Sequence, residues 1–524
     1  MSVVDTATFA AITALYLVAI AYLGYLGYKR TVKSDDYMVC GRKINPVVLA
    51  FSYGATFIST SAIVGFGGIA ALYGMGITWL TVLTIGVGVF VAFVVYGKKI
   101  RRIGQRTGAI TFPDLLGKVF RCEKLRVGAS LIILLGMPLY TAAILIGGAH
   151  FINTTLGIGY DNSLLAFAVI VAIYVIGGGL IAVMYTDAMQ GAIMFGGMLL
   201  LLVISYFFVF DGVSSANQEL TGMSSLVPAA LAEAGMTGWT SMPAFGSSIW
   251  WVLISTIVLC VGVGVLAQPQ LSVRFMTVSN DRALNRGVLI GGLFVLVMLT
   301  SAFTIGALSN VYFWNEQGQL AVPAAGNVDA VIPLFINSAM PEVFVVVFML
   351  ALLAAAMSTL SSLFHNMGTT LGYDLYKMSY GTNGRRVVQR SAKRVSQLGA
   401  MVMIVISVVL AFQMPPDIIA RATAMFMGLC AVALLPSLTY GLYAKEPRSA
   451  PAVASLAVGG GFWLLYTALV HRAESSVLRI TETLFGVESL AGHPWNVMNP
   501  IVIGLPLSAL VLVGVHLWLS RASS

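Results

Sequence analysis

The stretch "ALLAAAMSTLSSLFHN", residues 351–366, decides the fold. It sits in a long apolar run, yet Ser358, Thr359, Ser361 and Ser362 fall within five of its positions. In a helix, Ala355, Ser358, Ser361 and Ser362 form a single stripe, with Thr359 ~100° around from Ser358. Two readings stay open on these residues alone. Hydroxyls in a membrane helix bond back to the preceding turn and let helices approach closely. They also suit a hard cation such as sodium, which prefers oxygen ligands; Ser358, Thr359 and the Ala355 carbonyl could hold one ion.

The surroundings settle the solvent. Of 524 residues, 58% are apolar and 9% charged, against ~45–50% and ~25% in a soluble domain. Apolar runs of about 20 residues recur, each long enough to cross ~30 Å of hydrocarbon as a helix. They lack the alternation of a barrel strand. The expectation is an all-α polytopic membrane protein with thirteen spans, near 7–28, 45–74, 77–97, 128–156, 163–183, 188–211, 249–270, 286–309, 331–374, 395–413, 417–443, 450–470 and 499–519. The second and ninth exceed one straight crossing, so each is expected to contain a break or a turn. The first lacks a basic leader and a cleavage site, and reads as a retained helix.

Arg and Lys crowd alternate loops: 29–43, 98–126, Arg274 with Arg282 and Arg286, 377–394, and Lys445 with Arg448. Loop 212–248 has neither residue, and its Trp239, together with Trp250 and Trp251 just beyond it, is expected at the membrane interface. The positive-inside rule then places the N-terminus outside and the C-terminus in the cytoplasm of a plasma (inner) membrane. The net charge of +9 is topological, and no nucleic-acid motif accompanies it. The connector "YGTNGRRVVQRSAKR", 380–394, reads as solvated. Cys40, Cys122, Cys260 and Cys430 form neither a disulfide framework nor a zinc motif.

Charge inside the membrane is scarce. Asp187 lies where two spans nearly abut. Arg421 follows Asp417 by four residues, which predicts an i,i+4 ion pair, and His365 reads as a packing residue. A bound cation therefore needs neutral oxygens. Two further stretches supply conditions for them. "FSYGATFISTSAIVGFGGIAALYGMG", 51–76, combines six glycines with Ser59, Thr60 and Ser61, the composition of an interrupted helix. "VGVGVLAQPQLSVRF", 261–275, carries Pro269 between two glutamines that are costly in lipid unless they line a cavity. Interrupted spans at matching places point to inverted repeats. Each set of five spans opens on one of them, and five is odd, so the second set inserts upside down. The expected organisation is a peripheral helix and loop (1–44), a first repeat (45–211), an external loop (212–248), a second repeat (249–443) and two accessory helices (444–524).

The motifs "YVIGGGLIAVMYTDAMQGAIMF" (174–195), "AQPQLSVRFMTVSNDRA" (267–283), "AAAMSTLSS" (354–362) and "DLYK" (374–377) resemble those of the sodium:solute symporter family, whose members carry proline, pantothenate, monocarboxylates, sialic acid and sugars. The resemblance covers roughly residues 35–445. It implies the five-plus-five inverted-repeat, LeuT-like fold and sodium as the coupling ion. Matched residue by residue, it implies a first sodium at Ala55, Ile58, Ala355, Ser358 and Thr359, and a second at Asp187, Ser358, Ser361 and Ser362. The solute pocket would involve Phe57, Ser59, Thr60, Tyr140, Val261, Val265 and Gln268. Where sugar-carrying members bear Asn, Tyr and Trp, this chain has Val261, Gly264 and Val265, so a sugar is not expected. The implied activity is sodium-coupled import of a monocarboxylate or a small amino acid such as proline, by a monomer in the bilayer. The alternatives are proton coupling through Asp187 on the same fold, and a channel or sensor. No HExxH, GxSxG or nucleotide loop suggests an enzyme.

Overall fold

The computed structural model describes residues 6–31, 34–376, 385–415 and 417–522. Part of the 380–394 connector lies outside them. The described residues are helical throughout, with no strand. Helix α1 spans Thr6–Arg30, and α2 spans Pro46–Phe57. A π-turn at Ser61–Gly65 leads into α3, Phe66–Tyr73. Helix α4, Thr78–Leu83, runs on through a π-helical stretch, Thr84–Gly97, into α5, Lys98–Thr107. Then come α6, Phe112–Phe120, α7, Glu123–Leu156, and α8, Tyr160–Ile204. The second half comprises α9, Ser248–Ala267, α10, Pro269–Phe275, α11, Asp281–Gln317, and α12, Glu342–Thr369. It continues with α13, Arg385–Gln413, α14, Ile419–Tyr443, α15, Ser449–Leu469, and α16, Ile501–Ala522.

Eleven helices among the described residues are long and apolar enough to cross a membrane. The later part of the expected span 45–74 and all of 77–97 fall in one run, Ser61–Thr107, and Tyr160–Ala172 counts as a shorter apolar helix among the described residues. Helix α2 is a half-crossing of 12 residues. Helix α8 is continuous over 45 residues but turns at Gly179, whose φ of 63° favours glycine and where a Cβ would lie 2.5 Å from the Tyr37 ring.

Both interruptions read from the sequence are present. Helix α2 ends because Ile58 turns extended, at φ −88°, ψ 101°. The Ser59 hydroxyl then accepts the Ser61 N–H at 3.2 Å as the chain re-enters a helix. Helix α9 ends at Gln268, φ −68°, ψ 118°, and Pro269 opens α10, where its missing N–H costs nothing. Helix α12 packs against α2, α7, α8 and α13 at the centre of the bundle. Helix α11 crosses α3 so closely that a Cβ on Gly306 would lie 2.0 Å from the Gly67 carbonyl.

One face of the bundle is basic and the other nearly free of Lys and Arg. On the basic face, Arg126 Nε pairs with Asp374 at 3.0 Å, and Arg101 with Asp281. On the opposite face, loop 212–248 folds over the end of α3. Trp239 does not sit at the interface. It is buried, and its indole N–H donates to the Ala71 carbonyl at 2.8 Å, an oxygen that Asn310 Nδ2 also reaches at 2.8 Å. Arg421 does not pair with Asp417. It reaches Glu474 at 2.9 Å, because Asp417 adopts a positive φ and accepts the Val328 N–H instead.

Candidate ion and solute site

A helix end leaves its last carbonyls without intrahelical donors. Because the chain leaves α2 at Ile58, the oxygens of Ala55 and Thr56 are free of the ladder, and α12 supplies what they lack. Ser358 Oγ donates to the Ala55 carbonyl at 2.8 Å and lies 3.1 Å from the Ala355 carbonyl. Thr359 Oγ1 lies 3.2 Å from the carbonyls of both Ala55 and Thr56. Four of the five residues expected at the first sodium therefore converge, and Ile58 is the residue at which the helix breaks. All are buried. A hydroxyl carries one proton and two lone pairs. Turning the Ser358 and Thr359 protons away from the carbonyls would present a cluster of neutral oxygens to a hard cation.

Beside it lies a polar cluster with a member the sequence reading placed elsewhere. Asp187 Oδ2 accepts from Ser52 Oγ at 3.1 Å, Thr56 Oγ1 at 3.2 Å and Ser362 Oγ at 3.3 Å. Its Oδ1 accepts from Ser361 Oγ at 3.3 Å. The Ser358 hydroxyl points to the first cluster, and its carbonyl lies 2.9 Å from Ser361 Oγ and 3.0 Å from Ser362 Oγ, so each of those hydroxyls has one proton to share between it and Asp187. Into this arrangement comes Arg274, assigned from sequence to a basic loop but 1% exposed here. Its Nη2 lies 2.7 Å from Asp187 Oδ2 and 2.6 Å from Ser362 Oγ, and also contacts Thr56. Its Nε donates to Ser52 Oγ at 3.0 Å and its Nη1 to the Gln270 carbonyl at 2.6 Å. The guanidinium thus uses two of the four groups on which a second sodium would depend, Asp187 and Ser362. Arg274 lies near the end of a seven-residue half-helix right after the break, where the sequence does not separate an inward charge from one in a loop.

The solute residues divide. Phe57, Ser59, Tyr140 and Val261 line one cavity between the two broken helices, with Phe66, Leu299 and Met427 among its walls. Tyr140 donates to Ser59 Oγ at 3.3 Å and stacks on Phe426 at 5.9 Å. Thr84 also faces the cavity, and its hydroxyl has no partner; an isolated Thr in an apolar run gave no sign of this. Thr60, Val265 and Gln268 are not in the lining. Thr60 bonds the Ile144 carbonyl at 3.2 Å, Val265 sits over Gly88, and Gln268 accepts from Gln270 at 3.0 Å. The cavity measures about 10 Å3, close to the space one water needs. The path is closed around it in this conformation, and a solute requires the walls to part.

Comparisons with known proteins bear on this geometry. The model of the sodium:solute symporter family matches residues 37–459. The chain is 29% identical over 460 residues to a sodium/pantothenate symporter of Haemophilus influenzae, covering 87% of this chain and 89% of that one. It is 24% identical over 455 residues to an osmoregulated proline transporter of Bacillus subtilis, covering 86% and 87%. The solved structure of a Na+-coupled sialic acid symporter in an outward-open state superposes with a TM-score of 0.72 at 20% identity, over 96% of this chain and 95% of that one. The last likeness establishes the shared fold.

Proposed function

We propose, from the premise that the chain belongs to the sodium:solute symporter family, that it is a sodium-coupled secondary active symporter. It imports a small organic solute, a monocarboxylate or a small amino acid such as proline, by alternating access across the plasma membrane. The observation that carries this reading is the meeting of Ser358 and Thr359 with the freed carbonyls of Ala55 and Thr56. Sodium from outside takes these oxygens, steadies the form open to the outside, and leaves to the cytoplasm when the repeats rock. The basic face is cytoplasmic in this reading, with the N-terminus outside.

The named cargoes of the two relatives, pantothenate and proline, both present a carboxylate. Among the described residues, no basic side chain lines the cavity to meet one. The field of the bound sodium and the N–H groups where the helix restarts after Ser59 supply positive potential instead. The largely apolar wall accepts a compact carbon skeleton.

A second sodium at Asp187, Ser358, Ser361 and Ser362 competes with the Arg274 guanidinium for the oxygens of Asp187 and Ser362. That overlap favours one sodium per solute, with Arg274 as the resident cation of the neighbouring cluster. It also weighs against Asp187 as a proton carrier, since the carboxylate is already engaged by a guanidinium and four hydroxyls.

Purified protein in vesicles tests the reading. An inward sodium gradient is expected to drive accumulation of labelled proline, pantothenate or a short monocarboxylate, and choline substitution to abolish it. Equal accumulation in choline overturns sodium coupling. Uptake of glucose with no response to any carboxylate overturns the solute class.

A further inference from the structure

A second concavity, far from the ion cluster, opens on the basic face. It measures about 830 Å3 and is walled by three elements: α5, the end of α6, and the end of α14 with the turn after it. Among the described residues, six cations line it, Lys99, Arg102, Arg106, Lys118, Arg121 and Lys445, and no Asp or Glu does. Two of the six have carboxylate partners: Arg102 pairs with Asp281, and Lys118 Nζ lies 2.7 Å from Asp114. Lys99 lies over the Tyr443 ring, 5.1 Å from its centre. Arg106, Arg121 and Lys445 are in none of the ion pairs found among the described residues.

Membrane topology alone biases Lys and Arg to one side of a bundle. It does not gather them from three elements around one hollow. The gathering has local causes. In α5, Arg101 turns inward to Asp281 and Gln105, which leaves Lys99, Arg102 and Arg106 on the basin side. Helix α6 ends on Arg121 in the left-handed region, φ 49°, where glycine is the cheaper residue. Uncompensated like charges in one hollow repel, and an anion that neutralises them relieves that repulsion.

We propose that this basin binds the phosphate headgroup of an anionic glycerophospholipid. A phosphodiester matches the charge, and the site's position favours the lipid over a soluble phosphate. The apolar stretches that lead into the basin end at Gly97 and Tyr443, and Lys98, Lys99 and Lys445 follow at once, which sets the hollow at the level where headgroups sit. Ile103, Val119, Leu442 and the half-exposed Tyr443 give it an apolar side, suited to the glycerol backbone and the first methylenes. A seated headgroup joins the α5–α6 connection to the end of α14, elements that belong to opposite halves of the chain.

The test uses full-length protein in a lipid-free detergent, titrated with dioleoylphosphatidylglycerol or dioleoylphosphatidylcholine and followed by native mass spectrometry and thermal shift. Phosphatidylglycerol is expected to bind and stabilise, and phosphatidylcholine not. The triple variant Arg106→Gln/Arg121→Gln/Lys445→Gln is expected to weaken phosphatidylglycerol binding by about fivefold per charge removed, or roughly a hundredfold in all. The control Arg282→Gln/Arg286→Gln, two exposed cations of the same face outside the basin, is expected to bind as wild type. An unchanged sodium-dependent thermal shift in the triple variant shows that it is folded. Wild-type affinity in the triple variant, or an equal loss in the control, overturns the site. Equal stabilisation by millimolar inorganic phosphate, with displacement of the lipid, overturns the lipid assignment.

Discussion

Ser358 and Thr359 each bridge two helices through oxygens that a broken ladder has left exposed. Substituting either by Ala removes one oxygen from the proposed ion cluster. The sodium concentration for half-maximal uptake is expected to rise roughly tenfold, the scale of a contact to a charged group; sodium titration of uptake in vesicles measures it, and unchanged dependence in both variants sinks the assignment. Arg274 makes a different prediction. Arg274→Ala leaves the Asp187 carboxylate buried without its cation, so a loss of ~3–5 kcal/mol in stability is expected. The double variant Arg274→Met/Asp187→Asn removes both charges and is expected to recover most of it, read as melting temperature in detergent. The hydroxyl stripe was legible because Ser and Thr at three- and four-residue spacing are conspicuous in an apolar run. Arg274 was not, since an arginine near the end of a span looks the same whether it turns toward water or toward a carboxylate from α8.

At the scale of elements, the two helix breaks were readable because each has a local cause: hydroxyls and small residues at 59–61, and a proline at 269. The exact number of crossings is not fixed by length and composition among the described residues. A half-crossing such as α2 and a turn inside α8 depend on what packs against them, and apolar content does not record that. A tertiary staple was also invisible. The short helix Val328–Ala330 is held to the start of α14 from both sides. Asp417 Oδ1 accepts the Val328 N–H at 2.8 Å, and Asp329 accepts the backbone N–H of Ile419. The other oxygen of Asp329 has no partner. Burial first, then the nearby Asp417 charge, push the Asp329 carboxyl up to about 7. The folded chain thus holds a proton there that the unfolded chain releases near pH 4. Stability on this account is greatest in acid and falls as pH rises from about 4 to 7, with no further loss above. Melting temperatures across that range are expected to show this slope, and Asp329→Asn to flatten it. A variant that keeps the slope assigns it to another group.

For the whole molecule, the proposed sodium coupling makes the drive electrical as well as chemical. One charge crossing 100 mV is worth ~2.3 kcal/mol. With one sodium per solute, and a solute without net charge such as zwitterionic proline, transport moves one charge. The reversal potential in vesicles of known gradients is expected to give a ratio of one. A ratio of two would mean that Arg274 vacates its cluster for a second ion during the cycle.

The indole of Trp239 and the amide of Asn310 share a single acceptor, the Ala71 oxygen, at the tip of α3. A loop near the middle of the chain and the long helix α11 are therefore buttoned to the same atom. If the proposed alternating access moves that tip, the Met75 N–H bond to the Trp239 carbonyl strains along with both fastenings, so a Trp239→Phe variant is expected to alter the rate of uptake while leaving its sodium dependence in place.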